Sequence, residues 1–315
     1  MRVLIVTNMY PGPTEPWWGS FVRDQVDDLS ELGLELEVFH IEGRSNRSAY
    51  LRAIRDVRTR LQAASYDVVH AHYGLTGAAV VLARTGVPVV ATFHGSDYGG
   101  PAWQRLVSTA VAKRAVPIVV SEEGRARLRA PCARVIPMGV DTERFAPLDR
   151  ATARRGLGWD DGARYALLAG SRADPVKRAD LFDAAVARAQ TRVPELQGTA
   201  LEGFDRERVL LALNAADVTV LTSDHEGSPV TIRESLACET PVVAVPAGDA
   251  PSVLAGLPGC SVVAREADAL AGGIEAALVA GRNPAWRERA LKSSRAAVAE
   301  QVRDLYECVA GRRAS

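Results

Sequence analysis

What this sequence lacks removes whole classes of function. It carries no net charge, with 38 Lys and Arg against 38 Asp and Glu, and so has no basic footprint for a dedicated nucleic-acid binder. It has no apolar run near the ~18 residues that span a bilayer. Its opening, Met1-Arg2-Val3-Leu4-Ile5-Val6-Thr7, holds one basic residue and a short apolar stretch, which reads as a buried strand rather than a signal peptide. A cytoplasmic chain is the expectation. The four cysteines, Cys132, Cys238, Cys260 and Cys308, have neither metal-ligand nor redox spacing and read as thiols in a reducing compartment. The loop after the first strand lacks the G-x-G-x-x-G order of a nicotinamide-binding fold, and no D-x-D stands at a strand end. No cofactor and no metal are expected. Repeats and low-complexity segments are absent as well.

What is there is an ordinary globular composition, 47% hydrophobic and 24% charged over 315 residues, at a length where one core tends to split into two. Short apolar runs alternate with amphipathic stretches. The runs are Val3-Thr7, Leu36-His40, Val68-His70, Val87-Thr92, Ile118-Ser121 and Arg134-Ile136, then Tyr165-Ala169, Val218-Thr222, Val242-Val245 and Cys260-Val263. Fully apolar strands between helices read as parallel sheets covered on both faces. A first helix is predicted over Ser20-Leu32, with Ser20 as N-cap and Gly33 as its stop. The fold class is therefore α/β, two tandem doubly wound domains facing one cleft, with ligands at the carboxyl ends of the strands. The expected limits are 1–145, 146–296 and a helix at 297–315 that crosses back to the first domain. A basic stretch carries Arg44, Arg47, Arg52, Arg55, Arg58 and Arg60 against Asp56, with Leu51, Ile54, Val57 and Leu61 on one helix face. It reads as a solvated face or as peripheral contact with an anionic membrane on its inner side.

Chemistry concentrates in a few segments. The strongest is Glu226-Gly227-Ser228-Pro229-Val230-Thr231-Ile232-Arg233-Glu234, after a strand. Ser228 suits an N-cap and Pro229 a first helical residue, so a helix N-terminus here favours a phosphate or diphosphate. Glu226 and Glu234 stand about 10 Å apart along that helix, a spacing that brackets a polyol ligand, since carboxylates accept from hydroxyls. In Gly170-Ser171-Arg172-Ala173-Asp174-Pro175-Val176-Lys177-Arg178, Arg172 and Lys177 can neutralise a diphosphate. His94, within Thr92-Phe93-His94-Gly95-Ser96-Asp97, ends a strand in the first domain. Gly19 and Ser20 open a helix and can approach a phosphate. Trp17 and Trp18 can stack on a sugar or lipid or simply anchor their loop. Tyr73 and Asp97 complete the acceptor-side candidates.

Together these motifs resemble the GT-B glycosyltransferases, specifically the retaining family 4 type, over nearly the whole chain. Besides Arg172, Lys177 and the E-x7-E pair Glu226 and Glu234, the segments that carry the resemblance are Gly19-Arg23, Asp67-His72, Thr92-Asp97 and Pro137-Met138-Gly139-Val140-Asp141. The resemblance implies two Rossmann-like domains and metal-independent transfer of a hexose from a nucleotide diphosphate sugar to a glycan or lipid-linked acceptor, in polysaccharide biosynthesis. A UDP-sugar is favoured, with GDP-mannose the alternative. It also implies that Glu226 holds the donor sugar hydroxyls, that Glu234 holds the ribose, that His94 lies by the sugar, and that Gly19 lets its loop close on the diphosphate. Arg172, Lys177, Glu226 and His94 become the catalytic candidates. Gly19, Ser20, Ser228, Pro229, Val230, Thr231 and Glu234 become the donor-binding ones. The sequence departs from the family pattern at Ser20, Met138, Ser171 and Arg178. The short span Pro194-Asp205 is expected to lack the family's second strand. An epimerase or phosphorylase on the same architecture, and a non-catalytic sugar-nucleotide binder, stay open.

Overall fold

The computed structural model describes residues 1–12, 18–43, 46, 48–84 and 86–314. The chain divides into two compact units, Met1–Gly139 with Arg295–Ser315, and Val140–Ser294. The first holds strands β1 (Arg2–Thr7), β2 (Glu35–His40), β3 (Val68–His72), β4 (Val89–Phe93), β5 (Val116–Val119) and β6 (Arg134–Val135). Its helices are α1 (Ser20–Glu31), α2 (Ala49–Ala63), α3 (Gly74–Ala83), α4 (Gly95–Gly99), α5 (Ala102–Ala112) and α6 (Glu122–Arg127). The second holds β7 (Arg164–Leu168), β8 (Leu196–Ala200), β9 (Val218–Leu221), β10 (Val242–Ala244) and β11 (Ser261–Val262). Around them lie α7 (Arg150–Leu157), α8 (Ala179–Ala189), α9 (Arg206–Ala215), α10 (Val230–Ala237), α11 (Ala250–Leu254), α12 (Ala267–Ala280) and α13 (Ala285–Leu291). The last helix, α14 (Arg295–Ala314), returns to the first unit.

Both sheets are parallel and wound alike, β2-β1-β3-β4-β5-β6 and β11-β10-β9-β7-β8. Each starts one strand in from an edge, steps out to that edge, then reverses. The reversals fall between β1 and β3 and between β7 and β9, and loops diverge at such points to leave a ligand crevice beyond the carboxyl ends. These are two Rossmann-like α/β domains.

The unbroken apolar reading of β1 has a direct cause. Val3 and Ile5 pack with Val22 and Leu29 of α1 and with Val298, Val302 and Tyr306 of α14. Leu4 and Val6 face the other way, onto Ala53 and Val57 of α2 and Ala79 and Val80 of α3. Arg295 ties α14 to Asp28 of α1 at 2.6 Å. In the second unit β7 and β9 are fastened by Asp217, which is 2% exposed and accepts from Arg154 at 2.7 Å and the Tyr165 amide at 2.8 Å. Removing one partner from so buried a pair costs about 3–5 kcal/mol.

The structure corrects several expectations. Pro194-Asp205 does contain a second strand, β8, paired with β7 along its whole length. It lies at the sheet edge with Gln197 and Gly198 exposed, so it lacks the apolar signature of a central strand. The N-cap of α1 is Gly19, not Ser20, and no side chain caps it. In α2 the buried face is Ala49, Ala53 and Val57, while Leu51 is 71% exposed among the arginines.

Candidate active site

In the second unit the loops after all five strands meet at the carboxyl edge. The loop after β7 runs from Gly170 into a short 3-10 turn, Pro175–Lys177. The stem of Lys177 lies against Gly170, where an added Cβ would come within 2.8 Å of it. The Lys177 carbonyl accepts from Thr222 Oγ1 at 2.5 Å, and the Asp224 amide donates to Val176 O at 2.9 Å, which stitches this loop to the one after β9. The Lys177 ammonium consequently reaches Glu226 Oε1 at 2.6 Å. A cation and a carboxylate thus sit side by side, both partly buried, at the reversal of the sheet. Arg178 follows with φ 51, the left-handed region, which accounts for a glycine there in the family pattern. Here an arginine is held in that conformation by Asp180 at 2.7 Å and Asp224 at 3.1 Å.

The other candidates of this unit are placed differently. Arg172 donates to both Asp183 oxygens at 2.7 Å and lies over the Phe182 ring. Ser228 does not cap α10. It donates to Asp249 at 2.9 Å and accepts from Arg233 at 2.9 Å, while Arg233 and Asp249 form a buried ion pair. That cluster pins Gly227 to Pro229, and α10 begins at Val230 with no side-chain cap. Val230 and Thr231, both partly exposed, present its first turn. Glu234 is 2% exposed and meets Arg206 at 2.6 Å. Burial raises its pKa, and Arg206 works against the rise.

In the first unit three histidines and Asp97 are buried, and burial disfavours the charged form of each. His70 hydrogen-bonds Tyr306 at 2.5 Å and Thr92 at 2.7 Å. His72 stacks on His94, with ring centroids 5.6 Å apart. Burial pushes His70 down to about 3, His94 to about 4, and His72 well below the ordinary imidazole value. His94 is therefore a neutral hydrogen-bonding ring beside Phe21, not a cation. Asp97 has no exposed surface. Its carboxyl accepts from the His94 and Gly74 amides at 2.6 Å each, and burial pushes its pKa up to about 7. It fastens two loops and does not reach solvent. Tyr73 has φ 84 ahead of α3. It lines a pocket with Trp18, whose indole donates to the Asn8 carbonyl at 3.4 Å. Gly19, at φ 71, lies on the Met9–Tyr10 backbone, where an added Cβ would sit 2.2 Å from Met9 C. Ser20 follows as the first residue of α1. Trp17, Arg44 and Arg47 lie outside the described residues.

Residues 1–144 match the family described as Glycosyltransferase Family 4, and residues 168–280 match Glycosyl transferases group 1. The chain belongs to the family 4 glycosyltransferases of the GT-B fold. A D-inositol 3-phosphate glycosyltransferase of Geodermatophilus obscurus is 30% identical to this family member over 299 residues, 78% of this chain and 63% of that protein. The chain spans 57% of the length of its counterpart in Mycolicibacterium gilvum. A Bacillus subtilis protein, TuaC, whose name assigns it to teichuronic acid biosynthesis, is 26% identical over 80% of this chain and 83% of its own. Among solved structures, sucrose-phosphate synthase from Thermosynechococcus elongatus superposes with a TM-score of 0.80 at 19% identity over 100% of both chains. Anabaena HepE in complex with UDP and glucose does so at 0.72 and 18%, over 97% of this chain and 99% of that one. These likenesses show the fold.

Sequence reasoning missed Arg206, Asp249 and the role of Arg233. The signal for Arg233 was available, because a charged residue one position before Glu234 on a mostly buried helix needs a partner. Nothing local marks Arg206 or Asp249, which depend on contacts far along the chain. Among the described residues no helix is long and apolar enough to cross a membrane.

Proposed function

We propose that this chain transfers a hexose, with retention and without a metal ion, from a nucleotide diphosphate sugar to a hydroxyl of a glycan or lipid-linked acceptor in polysaccharide biosynthesis. The observation that carries the reading is the Lys177–Glu226 pair, 2.6 Å apart, beside the uncapped start of α10. A diphosphate next to sugar hydroxyls asks for that combination: a cation and a helix N-terminus for the growing negative charge, and a carboxylate for the hydroxyls. In the front-side route the departing phosphate takes the acceptor proton. Arg172 is within the same loop and supplies a second cation on leaving Asp183. Glu234, with Arg206 over it, suits the ribose end. A UDP-sugar is the favoured donor, as the names of the HepE complexes say of that protein. The exposed Leu51, Arg52 and Arg55 of α2 support a peripheral contact with anionic lipid.

The test is a screen of UDP- and GDP-sugars by thermal shift and by turnover, with and without chelator. Donor binding raises the melting temperature by mass action. Transfer or slow donor hydrolysis that survives chelator is the expected result. Loss with chelator and recovery with magnesium removes the metal-free mechanism. Conversion to an epimeric donor, or binding without turnover, returns the epimerase and the non-catalytic binder respectively.

A further inference from the structure

Arg265 belongs to none of the motifs that carry the family resemblance, yet its guanidinium grips the loop on which the site of the second unit is built. It stands between β11 and α12, with 29% of its side chain exposed. Its Nη1 donates to the Thr222 carbonyl at 3.1 Å and to the Ser223 carbonyl at 2.5 Å. Its Nη2 donates to the Asp224 carbonyl at 3.3 Å, and Nη1 also lies 3.4 Å from Asp224 Oδ1. One side chain thus gathers three successive carbonyls of the loop after β9. Thr222 and Ser223 are buried, and buried carbonyls need donors. A guanidinium supplies several from one residue, in a rigid planar fork. The Ser223 side chain adds no anchor, since its Oγ is buried and has no hydrogen-bond partner among the described residues.

The same residues hold the Lys177 turn with their donors. Thr222 Oγ1 donates to the Lys177 carbonyl at 2.5 Å, and the Asp224 amide donates to the Val176 carbonyl at 2.9 Å. The Asp224 carboxylate also accepts from Arg178 at 3.1 Å, and Arg178 follows Lys177 directly. Glu226 lies just beyond Asp224 in the chain. Contacts therefore run from Arg265 through 222–224 to the turn that carries Lys177. The 2.6 Å between the Lys177 ammonium and Glu226 depends on how the loops after β7 and β9 are set against each other. Arg265 fixes the second of these loops from the one after β11.

We propose that Arg265 is a positioning residue for the transfer reaction: by gathering the carbonyls of 222–224 it fixes the turn that aims the Lys177 ammonium beside Glu226. The proposal rests on the transfer reading above. Arg265 acts through Lys177 and not on the donor. A misplacement of about 1 Å remote from the chemistry can cost roughly 100-fold, and a loosened loop costs a part of that.

Two measurements on the full chain test it. The first is steady-state release of nucleoside diphosphate from the best UDP- or GDP-sugar. Arg265→Ala should lower kcat about tenfold and leave donor KM within about threefold, because the Lys177 contact strengthens as charge develops. Arg265→Lys, whose ammonium can still meet two of the carbonyls, should recover most of the turnover. In a Lys177→Ala background the same Arg265→Ala change should cost less than about threefold, since a residue acting through Lys177 then has nothing left to aim. The second measurement is amide hydrogen exchange without donor. The Asp224 and Lys177 amides should exchange about tenfold faster in Arg265→Ala, while β7 and β9 keep the parent rates. Arg265→Ala turnover within about twofold of the parent overturns the proposal. So does a full-sized loss repeated on top of Lys177→Ala, or exchange at Asp224 and Lys177 that the substitution leaves unchanged. Failure of the parent chain to bind or turn over any nucleotide sugar sinks the transfer reading instead, and the exchange measurement still decides whether Arg265 holds the turn.

Discussion

The two units wind their sheets the same way yet treat polar groups at the carboxyl edge in opposite ways. In the first, three imidazoles and a carboxyl are buried with neutral partners, and burial disfavours their charged forms. Asp97 is held by amides and a hydroxyl, and His70 by hydroxyls. In the second, each buried or partly buried carboxylate of the site meets a cation: Glu226 with Lys177, Glu234 with Arg206 and Asp249 with Arg233. Burial alone disfavours the charged form, and an opposite charge within reach restores it. Under the proposed function the contrast matches the substrates. A diphosphate leaving group asks for charge, and an acceptor hydroxyl asks for hydrogen bonds.

The sharpest way to break the contrast is to remove the cation. Lys177→Ala should lower kcat about 100-fold or more, the scale for one electrostatic group at a developing anion. Glu226→Gln should resemble it, because orienting the sugar matters most at the reacting carbon. Glu234→Gln should mainly raise donor KM, since a ribose contact is the same before and during reaction. Steady-state kinetics on variants with unchanged circular dichroism decides the matter, and near-normal turnover of Lys177→Ala would move the chemistry elsewhere.

Next in size is a backbone effect confined to the first unit. Gly19→Ala adds a methyl group against the Met9 backbone at φ 71 and should cost about 1–3 kcal/mol. Amide hydrogen exchange should quicken in α1 and β1 and stay unchanged in β7 and β9. Gly33→Ala, at φ 84 in open space, should cost less.

Acid should separate the units further. The folded pKa values of His70, His72 and His94 lie below the ordinary 6.5. Their stability is present above that value and is lost as pH falls through it, because only the unfolded chain then takes up protons. Asp97, at about 7 against an ordinary 3.8, acts in reverse, since the folded form keeps a proton the unfolded one releases. Three groups outweigh one. From about pH 6 toward 4 the first unit should lose roughly 1.4 kcal/mol per pH unit for each net proton. Exchange at pH 5 and 7, corrected for intrinsic rates, should show its strands opening before those of the second unit, and equal loss in both would refute the assignment. The smallest effect is the membrane contact. Vesicles with anionic lipid should gain about 1 kcal/mol per engaged arginine at low salt, and Arg52→Glu with Arg55→Glu should abolish co-sedimentation.

Much of this was legible from residue order. The apolar strands, the placement of Glu226 and Lys177 after two of them, and the family resemblance all follow from local pattern. What was not legible depends on partners distant along the chain. Ser228 looks like a cap until Asp249 and Arg233 claim its hydroxyl. Leu51 looks buried until the smaller Ala49 and Ala53 prove to face the sheet. Arg178 looks like a loss of glycine until two aspartates are found holding it at a positive φ. The strand β8 hides because an edge strand can leave Gln197 and Gly198 in water.

The return of α14 to the first unit sets an order of assembly. Val298, Val302, Leu305 and Tyr306 belong to the same core as Val3 and Ile5, although almost 300 positions separate them. During synthesis from the amino terminus, Val140–Ser294 has emerged whole before those side chains exist, so the second unit can complete itself first. The earlier-made β1 to β6 wait with one sheet face covered only in part, by α1, and with His70 lacking its Tyr306 partner. The half of the molecule translated first is therefore the half finished last, and a helper that shields apolar surface on the nascent chain would find its target there.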